Sequence, residues 1–197
     1  MAQVAASLLK HRGEMTRAMQ SQRGYSLNEL LLTIAVAATV MGMAVPILTD
    51  VSEGSRFTAS VRMVERELQS ARLKAVTSNV SVRVRTNCPS AGYIRTVEVV
   101  GNPGIDSAAN RCATTAYPFP PADNEMATRP NHDGPARVLP DGTTVGDMVL
   151  QFLPDGTVTQ VVANAPQRID GTVTLTVARN YKSKSVTING AGKIQLQ

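Results

Sequence analysis

The sequence predicts an α+β protein: one long N-terminal helix, half of it membrane-spanning in character, packed on an antiparallel β-sheet. Three observations carry this. Residues 30–49 form a run without a single charge. Apolar residues between positions 57 and 75 then recur at helical spacing. After Ser78 the period of the pattern falls to two, which is the period of a strand.

The chain opens on a basic segment. Residues 1–24 carry Lys10, Arg12, Arg17 and Arg23 against Glu14, a balance of +3 out of the formal +5 of the 197-residue chain. Removal of that segment would leave about +2, so the basic character belongs mainly to the leader. The uncharged run comes next. At about 1.5 Å of rise per residue, twenty helical residues cover about 30 Å, the thickness of a bilayer's hydrocarbon. Basic residues precede the run, and Asp50 and Glu53 follow it. The positive-inside rule therefore puts the N-terminus in the cytoplasm and the bulk of the chain across the membrane.

Composition leaves three readings of this run. It can be a plain signal anchor. It can be a secretory signal removed after small residues such as Ala35-Val36-Ala37 or Met41-Gly42-Met43-Ala44. The third reading starts from Glu29, a carboxylate set against the apolar run, where an unpaired charge is costly.

The stretch Gly24-Tyr25-Ser26-Leu27-Asn28-Glu29, followed by the apolar helix, resembles the processing site of type IV prepilins. Tyr25 stands where phenylalanine is commoner. The resemblance implies a type IV pilin-like fold and cleavage between Gly24 and Tyr25 by a prepilin peptidase/methyltransferase, with N-methylation at Tyr25. It implies that the run is kept, as the core of a filament. It also gives Glu29 an assembly role, cancelling the new amine of an adjacent subunit. Pro46, with Gly42 nearby, is expected to bend the helix or unwind it locally.

Beyond the run, Phe57, Val61, Val64, Leu68, Ala71 and Ala75 follow one another at intervals of 4, 3, 4, 3 and 4. That is one apolar stripe on an amphipathic helix. One helix is therefore expected from about residue 25 to 77. Four segments follow: a leader at 1–24, a membrane or filament-core helix at 25–49, an amphipathic half at 50–78, and a β-rich domain at 79–197.

Val80, Val82 and Val84 alternate with Ser81, Arg83 and Arg85 and read as a strand, as do residues 93–100. Residues 148–153 and 157–162 form a hairpin around Pro154-Asp155-Gly156. Val173, Leu175 and Val177 alternate with threonines. Residues 185–189 and 193–196 make a last hairpin around Gly190-Ala191-Gly192. The pentapeptide LPDGT occurs at 139–143 and again at 153–157. Its proline and Asp-Gly pair specify turns, and calcium-loop ligand spacing is missing. Residues 101–135 hold six of the eleven prolines and read as a long irregular excursion. Cys88 and Cys112 bracket its start and are expected to form a disulfide in an oxidising compartment. Closing a loop of that size is worth about 3 kcal/mol.

Three weaker patterns narrow the resemblance to the minor-pilin and pseudopilin branch known as GspH/FimT. Leu68, Ala71, Arg72 and Ala75 match its helix pattern. Phe152, Pro154 and Gly156 match its turn. Val186, Ile188, Gly192 and Lys193 match its closing strand pair. This implies a structural subunit of a type IV pilus or a type II secretion pseudopilus. The implied partners are other pilins or pseudopilins, the peptidase, an inner-membrane assembly platform and the inner membrane itself. The implied location is the inner membrane, then the filament at the cell surface.

DNA capture, as in some FimT-like minor pilins, is the alternative. Residues 98–155 carry three basic and eight acidic residues, whereas residues 179–197 carry Arg179, Lys182, Lys184 and Lys193 with no acid. Tyr181 lies among them and could stack on a base. The relatives that bind DNA share a C-terminal GRxR, and here the positions read Gly192-Lys193-Ile194-Gln195. No enzyme or cofactor is expected. His11 and His132 are the two histidines, Asp133 beside His132 makes no catalytic pair, and nucleophile-elbow and phosphate-loop motifs are missing. Two cysteines and two histidines are too few for a structural zinc site.

Overall fold

The computed structural model describes residues 24–120 and 130–197. The leader as far as residue 23, His11 included, lies outside these residues, as does the middle of the proline-rich excursion. The chain divides into two compact units, Met1–Asp50 and Val51–Gln197.

Helix α1 spans Leu27–Ser78. The amides of Glu29 and Leu30 donate to the Ser26 carbonyl at 2.9 and 3.1 Å and set its first turn. Glu29 lies in that turn, where a carboxylate complements the positive end of the helix dipole. The helix continues unbroken through Gly42 and Pro46, so the locally unwound turn expected there does not occur.

In the second unit the predicted stripe is the core. Phe57, Val61, Val64, Leu68, Ala71 and Ala75 are all buried. Among the described residues ten strands follow: β1 (Val82–Thr86), β2 (Tyr93–Glu98), β3 (Ala136–Val138), β4 (Thr143–Val145), β5 (Val149–Phe152), β6 (Val158–Val162), β7 (Ala165–Arg168), β8 (Thr172–Arg179), β9 (Lys182–Asn189) and β10 (Ile194–Leu196). Every pairing is antiparallel.

The single sheet expected is in fact two. One has the order β3-β2-β1-β5-β6-β7, the other β10-β9-β8-β4. The reason lies in the first LPDGT turn. It carries the chain from β3, at the edge of the larger sheet, to β4, which pairs with β8 in the smaller. The stripe covers both sheets, meeting Val82, Val84, Leu150 and Phe152 from one and Leu175, Val177, Val186 and Ile188 from the other. Each such side chain, fully buried, contributes about 1.5–3 kcal/mol.

The strands that alternation did not reveal are β3, β4 and β7. They are three or four residues long and lie at sheet edges. Their partners, rather than their own pattern, make them strands. Pro166 is tolerated in β7 because an edge strand has one side without a ladder.

Candidate assembly site

Gly24, Tyr25 and Ser26 precede the helix, are not themselves helical, and are exposed. Among the described residues, no heavy atom outside its chain neighbours approaches within 4 Å of where a Cβ on Gly24 would stand. Gly24 and Tyr25 are thus exposed backbone outside regular structure. Beyond it, every described side chain from Leu27 to Asp50 is exposed apart from half-buried Ala44. Two hydroxyls inside the uncharged run are settled internally. The Thr33 hydroxyl donates to the Leu30 carbonyl at 2.9 Å, and that of Thr39 to Val36 at 2.8 Å. A helix whose hydroxyls return to its own backbone asks nothing of water. Leu32, Val36 and Val40 form a ridge beside a shallow furrow floored by Thr33 and Ala37. Such i, i+4 rows are what another helix packs into. Among the described residues, α1 is the one helix long and apolar enough to cross a bilayer.

The three weak sequence patterns meet at one place in the second unit. Arg72, exposed on α1, donates from Nε to the Gly156 carbonyl at 3.2 Å and from Nη2 to the Ala191 carbonyl at 3.3 Å. It fastens the helix to the β5–β6 turn and the β9–β10 turn together. The fit is close. A Cβ on Gly192 would stand 2.4 Å from the Gly156 carbonyl oxygen and 2.7 Å from Arg72 Nε, so no larger residue fits. Gly156 and Gly192 also hold φ near +80°, which favours glycine. Leu68, Ala71 and Ala75 bury the helix on the sheets, and Arg72 fixes its position along them.

The outer face of the larger sheet holds residues that alternation placed in solvent. Arg83 and Arg95 are buried there. Arg83 Nε donates to Gln151 Oε1 at 2.9 Å. Arg95 donates to the carbonyls of Gly134, Cys112 and Tyr117. Arg111 is wholly buried, grips Asp133 with both terminal nitrogens, and lies 4.5 Å over the Tyr117 ring. Asp133 Oδ1 also accepts the Glu98 amide at 2.8 Å. Burial pulls the pKa of Arg95 down, and Asp133 opposes the shift. Glu98 in turn accepts the amides of Asn131 and His132 at 2.6 and 2.8 Å.

The described part of the proline-rich excursion is therefore a cover over the sheet, and it is not wholly irregular. It includes a one-turn helix, α2 (Pro103–Asp106), capped by the Asn102 side chain. Cys88 and Cys112 are joined as expected, with Cα atoms 5.3 Å apart. Sequence reasoning missed the Arg95–Arg111–Asp133 cluster. The signal was arginine at every second position of β1 and again in β2, a charged face that must be either wet or covered.

The basic residues do not form one patch. Arg179, Tyr181, Lys182 and Lys184 gather at the β8–β9 turn, where Arg179 pairs with Lys182 and Val177 with Lys184. Lys193 lies past the far end of β9, next to Gly192 and the groove beside Arg72. The eight residues of β9 separate the two places by about 25 Å. Both LPDGT copies are turns, closed by Thr143 amide to Pro140 carbonyl and Gly156 amide to Leu153 carbonyl. Among the described residues no cluster of metal-ligating side chains occurs.

The chain is similar to known proteins along most of its length. The family described as Type II transport protein GspH matches residues 60–192, well over half of the chain. A pilin-like protein, PilA1, of Thermus thermophilus is 26% identical over 180 residues, covering 90% of this chain and 99% of that protein. Among solved structures, the Pseudomonas aeruginosa type IV minor pilin FimU is 15% identical, with a TM-score of 0.44 over 74% of this chain and 90% of the other. The minor pseudopilin EpsH of the Vibrio cholerae type 2 secretion system is 15% identical, with a TM-score of 0.42 over 71% of this chain and 94% of the other. The chain belongs to the GspH family of type II transport proteins and is a pilin-like structural subunit of the minor-pilin and pseudopilin kind.

Proposed function

We propose that the subunit is made as a prepilin, cut between Gly24 and Tyr25, methylated on Tyr25, and stored in the inner membrane before it enters a filament. The filament is a type IV pilus or a type II secretion pseudopilus. In storage the N-terminus faces the cytoplasm and the second unit lies in the periplasm. The partners are the prepilin peptidase/methyltransferase, the assembly platform and neighbouring pilins.

One observation carries this reading: an exposed, uncharged helical run that begins next to Glu29, with an open Gly24–Tyr25 peptide just ahead of it. Lipid and other apolar helices accept the same surface, so transfer from membrane to filament needs no refolding of the helix. Cleavage would create an ammonium group on Tyr25. In a water-free filament core Glu29 would pair with that group on the next subunit, and an axial slip would leave both charges buried without a partner. Breaking a buried pair costs about 3–5 kcal/mol, enough to fix the register. A bend at Pro46 would let the helix follow the filament axis.

The test is the mass of the protein purified from its own membranes. A chain that starts at N-methylated Tyr25 supports the reading. A chain that starts at about residue 38–45 shows a secreted protein and removes it.

A further inference from the structure

We infer that the β8–β9 turn docks on anionic phospholipid headgroups while the subunit waits in the bilayer. The inference rests on the membrane-storage reading above. It is carried by the placement of Arg179, Tyr181 and Lys182. The turn is tied to α1 just beyond the apolar run, since Asn180 Nδ2 donates to Glu53 Oε2 at 2.9 Å. Lys182 Nζ reaches Gly54, standing 3.5 Å from where a Cβ would be. Gly54 follows Thr49 by five residues, which span at most about 18 Å of chain. The turn therefore stays within reach of the headgroups when residues 30–49 fill the hydrocarbon.

The chemistry matches that depth. Tyr181 is 77% exposed at the tip of the turn, with the Lys182 ammonium 5.3 Å from its ring. An exposed tyrosine beside a cation is the combination favoured at a membrane interface. Arg179, Lys184 and, on α1, exposed Arg56 add positive charge. The nearby acids are Glu53, which already accepts from Asn180, and exposed Asp141, two residues before Thr143, the β4 partner of Arg179. Arg179 stands here as a further cation, its Nε and Nη1 without a hydrogen-bond partner among the described residues. A phosphodiester supplies the negative charge that balances this corner.

The chain has no tryptophan, so Tyr181→Trp installs a single indole at the tip. The full-length variant is placed in nanodiscs of phosphatidylcholine alone or with one-third phosphatidylglycerol. Headgroup spin labels and aqueous iodide then compete to quench the indole. Docking predicts spin-label quenching that rises with phosphatidylglycerol and fades at high salt. Lys182→Gln, or separately Arg56→Gln, lowers the ratio of docked to free turn about fivefold, the worth of one basic residue at an anionic surface. An indole equally open to iodide in both lipids overturns the inference. So does an indole that answers to a short DNA duplex but not to lipid, which would make this a nucleic-acid surface. A chain that enters the discs with its indole exposed defeats docking alone, whereas a chain that does not enter defeats the storage reading too.

Discussion

Leu32 and Leu68 are the same residue type on one helix, yet the first is 66% exposed and the second 1%. Around Leu32 the apolar surface runs round the whole helix. Around Leu68 it is confined to a stripe that the two sheets cover. A helix apolar on every side needs an apolar environment, whereas a striped one needs only a partner on one side. The second half finds its partner within the chain, and the first must find one outside it. The same contrast holds for charge. Asp133 is buried against Arg111 and the Glu98 amide, while Glu29 is exposed on the isolated subunit.

That contrast can be broken in several places. The largest effect is expected at the buried acid. Asp133→Ala leaves Arg111 and Arg95 buried without their counter-charge, and about 3–5 kcal/mol of stability is lost. Glu29→Ala leaves the denaturant midpoint of the subunit in detergent unchanged and instead removes it from sheared filaments. Equal incorporation of the Glu29 variant and the parent would end the pairing argument. Next comes the leucine pair. Leu68→Ala costs roughly 3–4 kcal/mol by deleting core volume. Leu32→Ala leaves the midpoint in place, and any loss appears only in filament yield. Third, Cys88→Ser with Cys112→Ser costs about 3 kcal/mol through the larger freedom of the unfolded chain. Because the stripe stays in place, the circular dichroism of α1 does not change.

The smallest effect lies at Asp155. Its carboxyl sits below the ordinary 3.8, held there first by the Thr157 hydroxyl and then by the Thr157 amide. A folded-state value below the unfolded one gives stability that is present above about pH 4. It is lost as the pH falls through the folded value. Asp155→Asn should therefore differ slightly from the parent at neutral pH and match it in strong acid, as acid titration of the unfolding midpoint would show.

Much of this was legible before any coordinates. All six residues of the predicted stripe are in the core, because a 3.6-residue period leaves little choice of face. The long strands were readable from valine alternation. The division into two sheets was not, since β4 is three residues long and is recognised only by its partner β8. The covered face of β1 and β2 was hidden for another reason. Alternation identifies the two faces of a strand but cannot say that a distant loop closes over the charged one. The patterns at 68–75, 152–156 and 186–193 were visible, but their shared purpose was not. They converge through Arg72, and sequence order gives no hint of that meeting.

Arg72 and the carbonyl it grips on Ala191 stand 119 positions apart. A polypeptide made from its N-terminus delivers the guanidinium long before this acceptor. Until the β9–β10 turn follows, Arg72 has the Gly156 carbonyl alone, and one of its two fastenings is missing. A chain shortened before Ala191 would keep the part of the core that lies ahead of it but lose the clasp that ties the helix to both turns at once.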